Sequence, residues 1–362
     1  MVDGRILRSF DWFWFIALLA LAGTGIMAIW STTSGTGLHL YFNRQLIYLG
    51  VSLVIFFILL FFDYRIFSDF IAMIYIGMMA IMSLVFLIGH GVRGNIHWIS
   101  LGPASIQPSE LTKIVVIIAL AKYYSGLDSD HLSLRELAIG AAIVFIPFTL
   151  VLLQGDLGTA LTYIPVYATL SFLAGVRRKH IIVFLIIAVA SIPVGWSMMR
   201  GYQKERIETI FNPSKDPDRV GYQTIQSMIA IGSGQIWGKG LKQGSQGSLG
   251  FLPARHTDFV FSVLAEEKGF VGSIIVLALY LFVLFRLYRT VCEARDKIGA
   301  MIVSGVAALI FCHIAINIGM VFGVFPVVGI PLPFISAGGS SLLTCFMAMG
   351  LSMSVRMRRY VN

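Results

Sequence analysis

The stretch "FVFSVLAEEKGFVGSIIVLALYLFVLF" (residues 259–285) decides the class of this chain. It is long enough to cross a bilayer as one helix, which takes about 20 predominantly apolar residues. Yet Glu266, Glu267 and Lys268 lie close to its start, and Asp258 directly precedes it. The stretch therefore predicts a membrane helix that begins among charged residues.

The composition supports a polytopic membrane protein. Of 362 residues, 57% are apolar and 12% are charged, whereas a soluble domain has about 25% charged residues. In a membrane protein the net charge of +9 indicates cytoplasmic anchoring and contact with anionic lipid, so no nucleic acid is expected as a partner. The three cysteines are scattered and have neither metal-binding nor redox spacing.

The hydrophobic pattern predicts an all-α integral membrane protein with ten transmembrane helices and one domain over 1–362. We place the helices near 12–30, 45–62, 70–89, 106–124, 137–153, 157–175, 181–199, 259–285, 299–324 and 336–354. Only "QGD" (154–156) separates the fifth and sixth helices, which therefore form a tight hairpin. The run from Trp12 lacks a cleavage pattern and is interpreted as a retained first span.

Lysine and arginine placement predicts the orientation. With the N-terminus in the cytoplasm, more than half of the 27 lysines and arginines fall in cytoplasmic segments. The excess of positive charge marks the cytoplasmic side. Both termini are therefore expected in the cytoplasm, and residues 200–258 form a large extracytoplasmic loop between helices 7 and 8.

This loop concentrates cations on the predicted outer side. They are Arg200, Lys204, Arg206, Lys215, Arg219, Lys239, Lys242 and Arg255. Long loops translocate largely regardless of charge, so one interpretation gives the cluster no role. The clustering favours the other interpretation, a site for an anionic headgroup such as a phosphate or pyrophosphate.

Part of the loop has a pattern of its own. "YQTIQSMIAIGSGQIWGKG" (222–240) has apolar residues at helical spacing through Ile231, which predicts a short amphipathic helix on the membrane surface. A turn rich in glycine follows, with Gly238, Gly240, Gly244, Gly247 and Gly250. These glycines would let backbone N–H groups approach a ligand, although a flexible loop explains them equally well.

Ionisable residues inside spans are candidates for function, because a charge in the bilayer is costly unless it is paired or hydrated. Glu110 and Lys113 lie three apart near the start of the fourth span, where they can pair. A structural ion pair explains them as well as catalysis does. Asp156 lies at the tip of the hairpin, where it can instead cap the helix that follows.

The ninth span carries His313 and Asn317, four residues apart. Hydrogen bonds between helices explain both. Three prolines within 326–333 then interrupt the helix, and irregular backbone is expected through Ser336. At membrane depth such backbone is tolerated only where it lies against protein or lines a wet cavity.

Asp258 lies at the outer boundary of the eighth span, directly after the cationic loop. Glu266 is eight residues further on, so the two carboxylates are expected roughly on one face, with Glu267 beside them. A carboxylate at an apolar boundary tends to have a raised pKa, which suits a general base. From spacing alone, a salt-bridged anchor beside Arg255 explains Asp258 equally well.

Five blocks of the sequence resemble the SEDS family of shape, elongation, division and sporulation proteins. "PARHTDFVFSVLAEEKGFVG" (253–272) and "NIGMVFGVFPVVGIPLPFISAGGSS" (317–341) resemble its two signature blocks. "GPASIQPSELTK" (102–113), "DLGTA" (156–160) and "QSMIAIGSGQIWGKGL" (226–241) resemble three more, in the same order. The short tails resemble the RodA branch, which serves wall elongation, more than the FtsW branch, which serves division.

Two positions depart from the family pattern. A block that usually reads G-x-x-R-W is "GNIHW" (94–98) here, with His97 at the usual arginine. This change weakens any phosphate contact by a permanent charge at that position. The hairpin block Q-P-D-L-G-T has Gly155 in place of proline, which loosens the hairpin but keeps Asp156.

The resemblance implies ten membrane helices and a peptidoglycan glycosyltransferase that polymerises lipid II, a disaccharide-pentapeptide on undecaprenyl pyrophosphate. It places the essential acid at Asp258, which would take the proton of the acceptor 4-hydroxyl and give an inverted, β-1,4 link. The candidate substrate-binding residues are Arg206, Lys215, Lys239 and Lys242 for the pyrophosphate, with His256, Thr257 and Ser336. Supporting or structural roles fall to Glu110, Lys113, Asp156, Glu266, Glu267, His313 and Asn317.

The resemblance also implies partners and a location. The family works with a class B penicillin-binding protein that crosslinks the strands, and with other elongation-complex proteins, in the cytoplasmic (inner) membrane with the active site on the outer face. Membrane lipid would line grooves between the helices. No cofactor is assigned; a divalent cation, Mg²⁺ or Mn²⁺, near the pyrophosphate is an option for which the sequence shows no dedicated cage.

Two alternatives compete with the enzyme. A transporter that flips the lipid-linked precursor would use Glu110, Lys113, Asp156 and His313 as a relay through the bilayer. A scaffold that only recruits the penicillin-binding protein leaves the carboxylate and cations on one face unexplained. The concentration of Asp258 and the basic loop on one side favours surface chemistry.

Overall fold

A computed structural model of the chain describes residues 9–33, 39–88, 90–92, 95–101, 104–128, 131–198, 220–245, 252 and 254–359, with the single positions 201, 204 and 208. Among the predicted site residues, Arg206 and Lys215 lie outside these ranges. Gly247 and Gly250 of the glycine-rich turn lie outside them as well.

Helices dominate the described chain. The elements in chain order are α1 (Trp12–Thr33), α2 (His39–Phe61), α3 (Tyr64–Asp69), α4 (Ile71–Ile88), β1 (His90–Val92), β2 (Asn95–Leu101), β3 (Ala104–Ile106), α5 (Pro108–Ser125), α6 (Leu134–Leu153), α7 (Leu157–Leu161), α8 (Tyr163–Leu173), α9 (Arg178–Met198), α10 (Val220–Ser233), α11 (Val260–Cys292), α12 (Lys297–Val321) and α13 (Gly339–Met357).

Within the described ranges, five helical segments are long and apolar enough to cross a membrane. They lie in α1, α2, α6, α11 and α12. Since only helices and closed barrels satisfy the backbone inside lipid, the chain is an integral membrane protein built mainly of helices. Each predicted span coincides with a helix or a helix pair, while the count of ten crossings stays a prediction.

Side-chain caps explain where several helices begin. Ser133 and Glu136 form a reciprocal capping box at the start of α6. Asp156 caps α7, since its Oδ1 accepts the backbone N–H of Thr159 at 2.9 Å. The capping role considered for Asp156 is therefore confirmed.

A small antiparallel sheet departs from the all-α expectation. β2 pairs with both β1 and β3, in the order β1-β2-β3. These residues follow α4 and precede α5, where the hydrophobic pattern predicts only a connection between spans. Pairing between these short strands satisfies backbone N–H and C=O groups that lie outside the helices.

Helix α11 is broken where the sequence predicts a continuous span. Gly269 has φ 67° and ψ −164°, a combination essentially confined to glycine. The turn formed by residues 234–240, here called the 234–240 turn, pairs with the break. Its Gln235 and Ile236 carbonyls accept the N–H groups of residues 270 and 271 at 2.8 and 3.1 Å.

The same turn also donates hydrogen bonds to the residues that precede the break. The N–H groups of Lys239 and Gly240 donate to the carbonyls of Glu266 and Glu267 at 3.0 and 3.1 Å. The expectation that Gly240 presents a free backbone N–H to a ligand is therefore wrong, because that N–H completes α11. Close approach is also why Gly238 and Gly269 lack side chains: a Cβ on Gly269 would lie 2.3 Å from the Gly238 nitrogen.

The segment between α12 and α13, here called the 322–338 loop, begins with exposed residues (Phe322, Val324 and Phe325) and is mostly buried in its second half. Ile330, Leu332, Phe334 and Ile335 are each at most 2% exposed. Helix α1 packs against it so tightly that a Cβ on Gly25 would lie 2.5 Å from the carbonyl oxygen of Ile335. Irregular backbone at membrane depth is thus enclosed by protein, as expected.

The bundle has two distinct ends. At one end Ser31, near the end of α1, donates to Glu267. At the other end Asp11, directly before α1, pairs with Arg286 and Arg356. A rise of 1.5 Å per residue makes α1 about 30 Å long between these contacts, close to the thickness of the hydrocarbon core.

Candidate active site

Asp258 lies in a tight turn just before α11. The N–H groups of Thr257, Asp258 and Phe259 all point to the carbonyl of Ala254, at 3.0, 3.1 and 3.3 Å. The Thr257 hydroxyl donates to the same oxygen at 3.2 Å. Ala254 has a φ of 51°, which is rare for a residue with a side chain. The turn therefore fixes the backbone position of Asp258.

A second element holds Asp258 from the other side. The Nδ2 group of Asn317, on α12, donates to the Asp258 carbonyl at 3.0 Å and to the Ile330 carbonyl at 2.8 Å. The Asp258 carboxylate faces the backbone at Gly329, where a Cβ would lie 3.7 Å from its Oδ2 atom. Asp258 is partly exposed and lies between the start of α11 and the 322–338 loop.

The two signature blocks are joined directly. Ser336 donates its hydroxyl to the Thr257 carbonyl at 2.6 Å and accepts the N–H of Leu332 at 2.8 Å. The N–H of Ala337 donates to the His256 carbonyl at 2.8 Å. Ser336 is 4% exposed and its only O–H is committed. The structure therefore gives it a positioning role, and its contact with substrate stays a prediction.

His256 lies beside the same turn. Its ring packs against the Tyr41 ring, with centroids 4.9 Å apart. Burial lowers the pKa of His256, and the positive charge of Arg255 lowers it further. The imidazole is therefore neutral near neutral pH, and its buried Nδ1 atom contacts no hydrogen-bonding partner within the described part of the chain.

A second group of polar residues borders the 322–338 loop. Gln107 donates its side-chain amide to Asp156 at 2.8 Å, and its backbone N–H donates to the Ser340 hydroxyl at 2.9 Å. Gln45 on α2 contacts the carbonyl of Ser336. Neither glutamine is predicted from the sequence to have a role, although a glutamine at the start of a predicted span is itself a signal of a buried polar contact.

The predicted pair between Glu110 and Lys113 is confirmed and has a third member. Lys113 Nζ lies 2.8 Å from Glu110 Oε1 and 3.2 Å from the Nε2 atom of His313. The other ring nitrogen of His313 lies 3.2 Å from the Pro331 carbonyl. His313 and Asn317 are one turn apart on α12, so this buried cluster lies one turn below the contacts to Asp258.

The remaining predicted residues form a separate cluster. Glu266 is fully buried, and Lys239 pairs with it at 2.7 Å. The N–H of Lys242 donates to Glu267 at 3.1 Å, and the Lys242 ammonium lies 3.6 Å from the centre of the Trp30 ring. Glu266 and Asp258 therefore contact different parts of the fold, because the break in α11 and the 234–240 turn engage the deeper carboxylates.

A dedicated metal cage is not built by these residues. The described ranges bring no three His, Cys, Asp or Glu side chains together as ligands for an ion. Around Asp258 the described residues include two backbone carbonyls, its own and that of Ile330, and both accept hydrogen bonds from Asn317. A divalent cation at this site stays a prediction.

Comparison with known proteins identifies the family of the chain. The family model described as cell cycle protein, for FtsW, RodA and SpoVE, matches residues 10–361. The chain belongs to this family. The resemblance to the SEDS proteins is thereby confirmed over nearly the entire sequence.

Full-length relatives support the RodA branch. Peptidoglycan glycosyltransferase MrdB of Escherichia coli K12 is 36% identical over 345 residues, covering 95% of this chain and 92% of the relative. Peptidoglycan glycosyltransferase RodA of Treponema pallidum is 30% identical, covering 98% and 99%. A solved peptidoglycan synthase complex that coordinates polymerization and crosslinking contains a chain that is 30% identical, with a TM-score of 0.84 over 98% of this chain and 99% of that one.

Proposed function

We propose that this protein polymerises lipid II into glycan strands during cell-wall elongation and shape maintenance, with Asp258 as general base. That it is a peptidoglycan glycosyltransferase follows from its family and from its full-length similarity to enzymes of that name. The observation that supports Asp258 is its position: the turn at Ala254 and Asn317 of α12 fix its backbone, its carboxylate faces Gly329 of the 322–338 loop, and the residue is partly exposed.

The chemistry follows from that position. Asp258 takes the proton of the acceptor sugar's 4-hydroxyl, whose oxygen forms a bond to the anomeric carbon of the donor. The bond between that carbon and the pyrophosphate oxygen breaks, and undecaprenyl pyrophosphate leaves with the electron pair. Attack opposite to the leaving group inverts the anomeric centre and gives a β-1,4 link.

The leaving pyrophosphate needs cationic partners. Arg206 and Lys215 remain candidates from the sequence. Lys239 and Lys242 are engaged with Glu266 and Trp30, so either residue must exchange these contacts to reach a substrate. A divalent cation at the pyrophosphate remains a proposal, and no step above depends on it.

The membrane arrangement we propose has ten crossings and both termini in the cytoplasm. The end of the bundle that carries Asp258 then faces outward, with loop 200–258 beside it. The placement of lysine and arginine supports this orientation. The contacts at Asp11 and Glu267, at opposite ends of α1, support a full crossing by that helix.

A class B penicillin-binding protein is the partner we propose, together with other proteins of the elongation complex. The similarity to a polymerase chain from a complex that coordinates polymerization and crosslinking supports this. A transporter is not favoured. Its relay would need an open path at Glu110, Lys113 and His313, whereas the cavity beside them is about 10 Å³, room for about one water.

Polymerisation of labelled lipid II by the purified protein with its cognate partner tests the proposal. We expect strands from the wild type and from Asp69→Asn, a control carboxylate that is exposed and paired with Lys122 at the opposite end. Asp258→Asn, if folded and still bound to the partner, should make none. Equal polymerisation by Asp258→Asn would rule out the base. An inactive wild type that moves lipid II across liposomes would return the transporter to first place.

A further inference from the structure

The end of the bundle opposite Asp258 contains a cavity that the polymerisation chemistry does not use. Its volume is about 270 Å³, and its lining includes Trp12 and Phe13 as well as three arginines, Arg286, Arg356 and Arg359. It lies where the first residues of α1 meet the last turns of α11 and α13. A cavity of this size is somewhat smaller than a typical site for a drug-sized ligand, and it suits a polar headgroup.

The charges around this cavity are unequal. Asp11 pairs with Arg286 and Arg356, and Glu293 pairs with Arg289, Arg356 and Arg359. Among the described residues that line the cavity, three guanidinium groups accompany one carboxylate, that of Asp11. The side chains of Arg286, Arg356 and Arg359 are only 14%, 6% and 16% exposed. Positive charge that is shielded from water and in excess is stabilised by a bound anion.

The donors are also suited to an oxyanion. The guanidinium group presents a planar set of N–H donors that matches phosphate geometry. The Nε–H of Arg286 is buried and donates to no acceptor within the described ranges. One phosphate entering the cavity would therefore meet several arginines and a donor that lacks an acceptor.

The apolar rim indicates the source of the phosphate. Trp12 and Phe13 border the cavity and are 63% and 76% exposed. Aromatic side chains at the start of a membrane helix lie at the level of the lipid headgroups. A lipid that places its phosphate on the arginines would lay its acyl chains beside these rings, which a free phosphate ion cannot do.

The geometry points to a binding site for an anionic phospholipid between α1, α11 and α13, with the headgroup phosphate held by Arg286, Arg356 and Arg359. The lipid would link the ends of these three helices. Their opposite ends lie at the Asp258 end of the bundle. Basic pockets between membrane helices are suited to such headgroups. The site is separate from the proposed catalytic site and does not depend on it.

Native mass spectrometry of the purified full chain in detergent tests the site. The protein is titrated with phosphatidylglycerol and, separately, with zwitterionic phosphatidylcholine. We expect one retained phosphatidylglycerol in preference to phosphatidylcholine, and about tenfold weaker retention in Arg286→Gln/Arg359→Gln. Arg65→Gln is the matched control, because Arg65 lies at the same end and pairs with Asp296 away from the cavity.

The outcomes separate lipid from free anion and from general charge. Equal retention of the two lipids, or an equal loss in Arg65→Gln, overturns the proposal. The proposal is also overturned if Arg286→Gln/Arg359→Gln still prefers phosphatidylglycerol but no longer binds inorganic phosphate, which the wild type binds. The arginines would then hold a free anion and not the lipid. If thermal unfolding shows that the double variant does not fold, retention of phosphatidylglycerol is measured with Arg359→Lys in its place. This variant keeps the charge but lacks the planar fork, so unchanged retention contradicts the site.

Discussion

The side-chain amide of Asn317 donates to the carbonyl of Asp258 at 3.0 Å, although the two residues are 59 positions apart. The same nitrogen donates to the carbonyl of Ile330 at 2.8 Å. Asn317 is fully buried and thereby ties the turn before α11 to the 322–338 loop. These are the two segments between which Asp258 lies.

We expect Asn317→Leu to reduce polymerisation through kcat more than through KM. Without the amide, two carbonyls lose a donor, and Asp258 can move relative to the 322–338 loop. A displacement of about 1 Å at a reacting group can cost up to about a hundredfold in rate. Steady-state polymerisation of labelled lipid II measures both constants.

A buried hydroxyl serves as the control for that variant. Ser354 on α13 is buried and also donates to a carbonyl, that of Phe62, at 3.0 Å; Phe62 follows the end of α2 that lies opposite Asp258. Ser354→Ala should change thermal stability with little change in kcat. An equal fall in kcat for both variants would show that Asn317 acts through general stability alone.

The cluster of Glu110, Lys113 and His313 gives a stability prediction. Glu110→Gln leaves the ammonium of Lys113 without its carboxylate in a site where Lys113 is 1% exposed. Breaking a buried pair in this way costs about 3–5 kcal/mol. Unfolding followed by heat or denaturant should show that loss, and Glu110→Gln/Lys113→Met should recover part of it.

An exposed pair sets the scale for this comparison. Lys122 and Asp69 pair at 2.8 Å, with side chains 47% and 63% exposed. Lys122→Met should change stability by about 1 kcal/mol or less. If Glu110→Gln is no more damaging than Lys122→Met, the cluster does not stabilise the bundle.

Much of this architecture could be predicted from the sequence, because apolar runs and ion-pair spacing are local signals. The helices coincide with the predicted spans, and the pairing of Glu110 with Lys113 follows from their separation on one turn. His313 could be recognised as a buried polar residue in the same way. Its contact with Lys113, however, joins residues 200 positions apart, and no periodicity within one helix encodes such a contact.

The break at Gly269 shows where prediction from sequence fails. Apart from Glu266, Glu267 and Lys268, residues 259–285 form one long apolar run, so the hydrophobic pattern predicts one helix there. The break depends on the 234–240 turn, which replaces the lost backbone hydrogen bonds from outside the helix. Lys239 and Lys242, predicted from the loop as cations for the pyrophosphate, contact Glu266 and Trp30 in the structure.

We expect Gly269→Ala to destabilise the protein by about 2 kcal/mol or more. Its backbone conformation costs about 1–3 kcal/mol for a residue with a side chain. The added Cβ would also lie 2.5 Å from the Ile236 oxygen. Thermal unfolding of the detergent-solubilised chain measures the effect.

Gly23→Ala is the matched control for this substitution. Gly23 lies inside α1, and a Cβ there meets no atom within 4 Å. Alanine is favoured over glycine in a helix by about 1 kcal/mol, so this variant should be as stable as the wild type or slightly more stable. A similar loss in both variants would mean that the conformation of Gly269 is not what matters.

His256 gives a prediction for pH. Burial, and then the charge of Arg255, lowers the pKa of His256 in the folded protein. The unfolded chain therefore binds a proton at about pH 6.5 while the folded chain does not. Stability is at its full value above that pH and falls as the pH drops towards the folded-state pKa of His256, because unfolding then takes up a proton.

Removing the imidazole should flatten this dependence. Thermal unfolding of the wild type and of His256→Gln, from about pH 7.5 to about pH 5, should show a smaller loss of stability in the variant. His131→Gln is the control, because His131 is exposed and lies away from Asp258; it should lose stability as the wild type does. Parallel curves for the wild type and His256→Gln would mean that other groups set the acid sensitivity. His256 would then have no special environment beside Asp258.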